Sequence, residues 1–146
     1  MNNQKKLKST VMLVPATVTS GATATANLDC IGEGSVEVIV SLGALAGAGV
    51  APASIKMLES DDTVVTNFAE ITALSTGAAA VGASESVRFF VDRSNGNRKR
   101  YLRLAVTPGT ASTNSNLPVS AIAFFDRSDN DPASTSGYGS NVVKEV

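Results

Sequence analysis

The 146-residue sequence lacks histidine and tryptophan, and its single cysteine is Cys30. Without histidine the chain can form no Ser-His-Asp or Cys-His catalytic group and no histidine-ligated metal site. A single cysteine excludes an intrachain disulfide and a cysteine-rich zinc site. We therefore predict a non-enzymatic protein with no metal and no cofactor, in which Cys30 is a small buried apolar residue.

Long apolar runs and a strong net charge are also missing. No stretch approaches the roughly 20 apolar residues that span a bilayer. The apolar run from Val11 to Val14 is too short for a signal peptide and is broken by Pro15. The formal net charge of -1 gives no general attraction for nucleic acid or an acidic membrane surface. We expect neither a membrane nor nucleic acid as a partner.

The abundant residues favour β-strands. Hydrophobic residues make up 43% of the chain but aromatic residues only 5%, and Val, Thr, Ser, Ala and Gly are typical of short strands and loops. Val36, Val38, Val40 and Leu42 alternate strictly, which is the pattern of a strand with one buried face. About eight such segments predict an all-β antiparallel sandwich, jelly-roll-like, with an immunoglobulin-like sandwich as the alternative.

The polar ends of the chain suggest three parts. We predict an N-terminal arm over residues 1–10, a β-sandwich domain over 11–126 and a C-terminal tail over 127–146, the two ends being extended arms. The first strand covers Val11 to Thr19, and Pro15 within it indicates a sheet edge or a bulge. A second prediction pairs Ile55 to Glu59 with Thr63 to Phe68 in a hairpin.

The segment from Val87 to Val106 is the most informative of the sequence. Two β-prone runs flank Asn95-Gly96, a dipeptide typical of a two-residue hairpin turn. A hairpin with that turn places Phe89 opposite Leu102 and Val87 opposite Leu104. We predict that these four residues face the core.

The other face of the predicted hairpin is basic and aromatic. It sets Arg88 opposite Arg103, a like-charge pairing that needs negative charge from elsewhere. We predict a protein interface here, with a neighbouring copy of the chain as one source of that charge. An ordinary solvated sheet face and a platform for single-stranded nucleic acid are the alternatives. The candidate interface residues are Arg88, Phe90, Lys99, Tyr101 and Arg103.

The acidic residues near the C-terminus raise the question of a calcium site. Asp126, Asp129 and Asp131 carry the oxygen ligands that calcium prefers. Their spacing does not match the helix-loop-helix calcium motif, and the later glutamate of that motif is missing. We interpret them as solvated turn residues and predict no metal.

Three segments resemble small β-rich virion proteins of tailed bacteriophages, in particular capsid decoration or cement proteins. They are SIKMLESDDTVVTNF (54–68), KRYLRLAVTPGT (99–110) and VSAIAFFDRSDNDP (119–132). The resemblance implies a sandwich on the capsid surface of a virion, made in the host cytoplasm. It also implies a homo-oligomer, with a trimer favoured, that stabilises the shell by bridging subunits of the major capsid protein. Alternatives are a structural protein of the tail or head–tail junction, and a carbohydrate-binding β-sandwich module.

Overall fold

The computed structural model describes residues 8–19, 21–44, 54–77, 84–93, 97–109, 116–126 and 142–145. These ranges contain nine strands and one 3-10 turn, Val65–Asn67, and no helix among them could cross a membrane. The strands are β1 (Lys8–Thr19), β2 (Ala24–Asp29), β3 (Ser35–Leu42), β4 (Ser54–Ser60), β5 (Ala69–Thr76), β6 (Ser86–Asp92), β7 (Tyr101–Thr107), β8 (Asn116–Asp126) and β9 (Val142–Glu145).

The strands form two sheets. Sheet A has the order β1-β8-β3-β6-β9, and sheet B has the order β2-β7-β4-β5. All neighbours are antiparallel except β6 and β9. From β1 to β8, successive strands lie in opposite sheets except for the β4–β5 hairpin. This order is that of a jelly roll, so the predicted fold class is confirmed.

The core lies between the two sheets and follows from the alternation along each strand. The four residues predicted to face the core are Val87, Phe89, Leu102 and Leu104, and each is fully buried. Side chains of this size each stabilise the fold by about 1.5–3 kcal/mol when buried. Cys30 is also fully buried, and burial raises the pKa of its thiol to about 11, so its prediction as a buried apolar residue is confirmed.

The predicted hairpin from Val87 to Val106 is wrong. Strand β6 pairs with β3 and β9 in sheet A, whereas β7 pairs with β2 and β4 in sheet B. Phe89 and Leu102 therefore belong to different sheets and are not cross-strand partners. The alternation of apolar residues in β6 and β7 does not distinguish the two arrangements. Two strands that face each other across a core show the same alternation as two hairpin partners. Asn95 and Gly96 lie outside the described residues.

The first strand is an edge strand with irregular pairing, as Pro15 predicted. Strand β1 lies at one edge of sheet A, and its register with β8 shifts twice, between Val11 and Leu13 and between Leu13 and Ala16. Proline can donate no ladder hydrogen bond, so it is accommodated at this edge. The strand begins at Lys8, within the predicted arm.

The predicted partner of the fourth strand is also wrong. Strand β4 pairs with β5, which begins at Ala69, after the segment proposed from sequence. Asp62 accepts hydrogen bonds from the Val64 backbone N–H at 2.9 Å and from the Asn67 side-chain amide at 2.8 Å. These bonds hold the segment after β4 as a turn instead of a strand, because short polar side chains compete for backbone donors.

The end of the predicted tail returns to the sandwich. Residues Val142 to Glu145 form β9 and pair in parallel with β6 at the second edge of sheet A. The last described residues of the predicted tail thus belong to a sheet, while the division into arm, domain and tail stays a prediction. Asp129 and Asp131 lie outside the described residues.

Candidate interaction surface

The five candidate interface residues do not share one surface. Arg88 and Phe90 lie on the outer face of sheet A, while Tyr101 and Arg103 lie on the outer face of sheet B. Lys99 precedes β7, at the end of sheet B. The sandwich separates the two groups, so the single hairpin surface predicted from sequence does not exist. Contact of any one of them with a partner stays a prediction.

The chain itself supplies negative charge to Arg88 and Lys99. Arg88 forms an ion pair with Glu37 of the neighbouring strand, and both side chains are largely buried, with 12% and 24% exposed. Lys99 forms an ion pair with Asp61 at 3.2 Å. Arg88 and Arg103 do not face each other, because their strands belong to different sheets. A neighbouring copy, expected above as one source of negative charge, is therefore not needed to neutralise Arg88 or Lys99.

Arg103 is part of the structure of sheet B and is not an exposed interface residue. It is only 7% exposed, and its guanidinium carbon lies 3.9 Å from the centre of the Phe68 ring. Its Nε donates to Asn27 Oδ1 at 2.6 Å and its Nη1 donates to the Val65 carbonyl at 3.3 Å. The segment after β4 thus folds over sheet B and covers Arg103.

The charged residues on the rest of the described outer face of sheet B are paired within the chain, while the segment that covers Arg103 exposes Val64 and Val65, at 52% and 69%. Arg100 binds Asp29 through two hydrogen bonds of 2.9 and 2.6 Å, and its guanidinium carbon lies 4.7 Å from the centre of the Tyr101 ring. The Arg100 hydrogen bond lowers the pKa of the Asp29 carboxyl. Lys56 forms a 2.9 Å ion pair with Glu70 and lowers the pKa of that carboxyl. With these basic groups already paired, the face offers little positive charge to nucleic acid.

The outer face of sheet A is different, because much of it is apolar. Val11 is 59% exposed and Ile122 is 43% exposed, and the two are partners in the β1–β8 ladder. Ile39 is the partner of Ile122 on the other side, and Arg88 follows next to Ile39. Because partners in a ladder share a face, these residues form one row across four strands.

A second row adds aromatic residues to this face. Phe124 and Phe90 are the partners of Glu37 on its two sides, and both are half-buried. The Arg88–Glu37 ion pair thus lies within apolar surroundings. We call these two rows the sheet A face, defined by Val11, Glu37, Ile39, Arg88, Phe90, Ile122 and Phe124.

One sequence pattern, in β8, indicates the sheet A face, and it is separate from the Val87–Val106 segment. In β8, Ala121, Ala123 and Phe125 are buried, yet the opposite side carries Ile122 and Phe124. A strand that is apolar on both sides is unusual in an antiparallel sheet with one solvated face. That pattern shows that β8, an inner strand of sheet A, is apolar on its outer side as well as on its core side.

A shallow depression of about 470 Å³ lies at one end of the same outer face. Its walls include Pro15 and Thr17 of β1, Ser41 of β3 and Pro118 of β8. Gly43 is required here, since a Cβ at this position would lie 2.8 Å from Pro118 Cβ. No group of three or more His, Cys, Asp or Glu residues in the described ranges could hold a metal ion.

No protein-family model matches the chain, and no curated protein matches it in sequence. Among solved structures, a protein of Bacillus endospore appendages, described as disulfide-linked pili, is 13% identical and aligns over 86% of this chain and 91% of its own, with a TM-score of 0.45. A protein of infectious bursal disease virus, Gt strain, is 12% identical over 89% of this chain, with a TM-score of 0.49.

The chain spans about a third (34%) of that viral protein. A protein in the capsid asymmetric unit of cyanophage Pam1 is 14% identical and aligns over 86% of this chain and 88% of its own, with a TM-score of 0.36. The jelly-roll assignment rests on the strand order and pairing described above.

Proposed function

We propose that the protein is a non-enzymatic structural protein of a virion, which decorates a tailed-phage capsid and stabilises it by bridging major capsid subunits. The observation that carries the proposal is the apolar row that crosses the strands of sheet A on their outer face, whereas the outer faces of the sheet B strands carry charged residues paired within the chain. The sequence resemblance to phage decoration proteins directs the proposal to the capsid. We further propose a homo-oligomer, with a trimer favoured.

The sheet A face has the composition of a protein contact. Its centre carries Ile39, Ile122, Phe90 and Phe124, and aromatic and apolar residues are enriched in the buried centre of interfaces. The one charged pair in these rows, Arg88 and Glu37, is already formed within the chain. Covering it therefore leaves no buried charge without a partner, which is the costly case.

A rigid sandwich with one adhesive face suits a shell-stabilising role. Each copy needs only a modest contact, because many copies bound to a closed shell act together. The outer face of sheet B, with its exposed ion pairs, then meets solvent. This orientation assigns opposite roles to the two faces and can be tested by changing each one.

The direct test replaces one exposed valine on each side of the sandwich. Val11 on the sheet A face is 59% exposed, and Val64 beside sheet B is 52% exposed, so Val64→Glu is a matched control for Val11→Glu. We expect both variants to fold, and only Val11→Glu to lose at least tenfold in affinity for capsids that lack the protein. Equal binding by both variants would contradict a role for the sheet A face.

Two measurements on particles test the function itself. Capsids without the protein should rupture at a lower temperature than capsids carrying it, and readdition should restore the difference. Quantitative mass spectrometry against the major capsid protein should give hundreds of copies per particle. A copy number equal to that of a few subunit rings would instead indicate a position in the tail or at the head–tail junction.

A further inference from the structure

Strand β9 lies where the two sheets approach each other at one side of the sandwich. It is the last strand of sheet A and pairs with β6. Its Cα atoms also come within 8 Å of Cα atoms of β5, the last strand of sheet B. Two packed sheets lie about 10 Å apart, so β9 is closer to sheet B than a strand that only faces it. It therefore bridges the two sheets at this side.

The ladder that holds β9 is short and parallel. It has four positions, from Val142 opposite Val87 to Glu145 opposite Phe90. The antiparallel ladder on the other side of β6, with β3, has seven positions and no register shift. All other described ladders are antiparallel, and parallel pairing is slightly less stable per residue. Strand β9 is therefore held to sheet A less firmly than β6 is.

The sandwich keeps its other pairings when β9 leaves. Strand β6 stays bonded to β3 along its whole length, and β3 stays bonded to β8. The core side chains of β6, which are Val87, Phe89 and Val91, are fully buried between the sheets. Elements with few ladder bonds open locally at a free energy well below that of global unfolding. The structure thus allows β9 to detach while the rest stays folded.

Detachment of β9 uncovers a regular strand edge. Strand β6 contains no proline, and it pairs with β3 without a shift from Ser35 opposite Asp92 to Ser41 opposite Ser86. The other edge of sheet A, β1, is interrupted by Pro15 and by two register shifts. Proline and bulges protect an edge from pairing with further strands, whereas a regular edge needs a cover. Docked β9 supplies that cover.

We propose that β9 is a reversible latch, which covers the β6 edge when docked and detaches while the other eight described strands stay folded. Docked β9 joins sheet A to sheet B at this side and keeps the β6 edge from pairing with other molecules. This inference goes beyond the proposed function and does not depend on it, since it concerns the isolated protein.

Amide hydrogen exchange of β6, measured by NMR at increasing urea concentrations, tests the detachment. Successive N–H groups of a strand point to opposite sides, so the amides from Val87 to Phe90 alternate between β3 and β9. We expect the amides that bond β9 to exchange about tenfold faster than those that bond β3, with a weaker dependence on urea, because local opening exposes little surface. Equal rates and equal urea dependence in the two sets would overturn the latch, since β9 would then open only when the whole sandwich unfolds.

A pair of variants separates the ladder from the side chains. Val142→Pro with Val143→Pro removes both N–H groups, and one of these two neighbours directs its N–H toward β6. Val142→Ala with Val143→Ala changes the same two side chains and keeps both N–H groups. We expect the proline variant to lose protection of the β9-bonded amides of β6 and part of the protection of β5, while the β3-bonded amides stay as in the wild type. The alanine variant should retain the wild-type pattern.

Two results with the proline variant would overturn the latch. Failure to fold would show that β9 is an integral part of the sandwich, and unchanged exchange in β6 and β5 would show that β9 covers neither strand. The cover role has its own measurement, light scattering over a range of protein concentrations. The proline variant should form larger species than the alanine variant, because its β6 edge is open. Equal masses of the two variants would refute the protection of this edge.

Discussion

On sheet B, Arg103 lies beneath Phe68 and donates to Asn27 and Val65, and the ion pairs around it close within the chain. On sheet A, Val11 and Ile122 meet solvent at the corresponding outer position. One face is thus covered by its own chain, through the segment after β4, while the other has no comparable cover among the described residues. The difference teaches that basic residues on a strand do not by themselves identify a binding surface, because the same residues can complete a fold.

Arg103→Glu is the change with the largest expected effect on this contrast. The new carboxylate would face Asn27 Oδ1 and the Val65 carbonyl, both of which now accept from Arg103. A buried charge without a partner is strongly destabilising, so we expect the free energy of unfolding to fall by about 4 kcal/mol. Urea unfolding followed by circular dichroism measures this loss.

The exposed ion pair of Arg100 with Asp29 supplies the control for that experiment. Arg100 directly precedes β7. Arg100→Glu should lower the free energy of unfolding much less than Arg103→Glu does, since its partner Asp29 remains solvated. If Arg103→Glu were as stable as the wild type but failed to assemble, the structural role of Arg103 would be contradicted. Arg103 would then be an interface residue.

Phe68→Ala and Phe90→Ala compare one aromatic residue from each side. Phe68 is buried over Arg103, whereas Phe90 is half-buried on the sheet A face. We expect Phe68→Ala to lower the free energy of unfolding by about 3 kcal/mol, and Phe90→Ala by about 1 kcal/mol. Thermal or denaturant unfolding of both variants gives the comparison.

The same two variants should show the opposite order in binding. Phe90→Ala should weaken capsid binding more than Phe68→Ala does, when both are assayed well below their unfolding temperatures. The reverse order in either assay would contradict the proposal that the sheet A face binds the capsid while the sheet B side stabilises the fold.

The smallest expected effect is a loss of stability in acid that arises from the sheet B side. Hydrogen bonds lower the pKa of Asp29 through Arg100, of Asp62 through Asn67 and of Glu70 through Lys56. A carboxyl with a lowered pKa in the folded state stabilises the fold above its unfolded pKa, and that contribution is lost as the pH falls through the folded value. The unfolding temperature should therefore decline slightly as the pH drops below the ordinary values of 4.5 and 3.8.

The matching variant replaces these three carboxyls by amides. Asp29→Asn, Asp62→Asn and Glu70→Gln together should lower the unfolding temperature at pH 7 and flatten its dependence on pH below 4.5. An unchanged slope between pH 5 and pH 3 would show that the acid sensitivity has another origin.

Much of the fold could be predicted from the sequence because its strands alternate clearly. The alternation from Val36 to Leu42 predicts a strand with the buried side that the structure shows, and the predicted core residues Val87, Phe89, Leu102 and Leu104 are all buried. Pro15 correctly indicated an irregular edge. The wrong predictions concern strand pairing. Asn95-Gly96 suggests a hairpin between β6 and β7, but these two strands lie in different sheets.

The candidate surface could be predicted only in part. The sequence pattern predicts an outer face for Arg88 and Phe90, as the structure shows, but it predicts the same face for Arg103, which lies buried on the other sheet. The apolar residues Val11 and Ile122 were not proposed as contact residues, because each lies in a strand whose sheet neighbours could not be known from local pattern.

The sequence by itself determined that the protein is built from strands, which side of the clearly alternating strands is buried, and that histidine chemistry and an intrachain disulfide are excluded. Only the tertiary structure decided which strands are neighbours, and hence that β6 and β7 lie in opposite sheets. The physical reason is that alternation is a local property of one strand. Strand pairing depends on contacts between residues far apart in sequence, and these also decide which outer face is covered and which is left open.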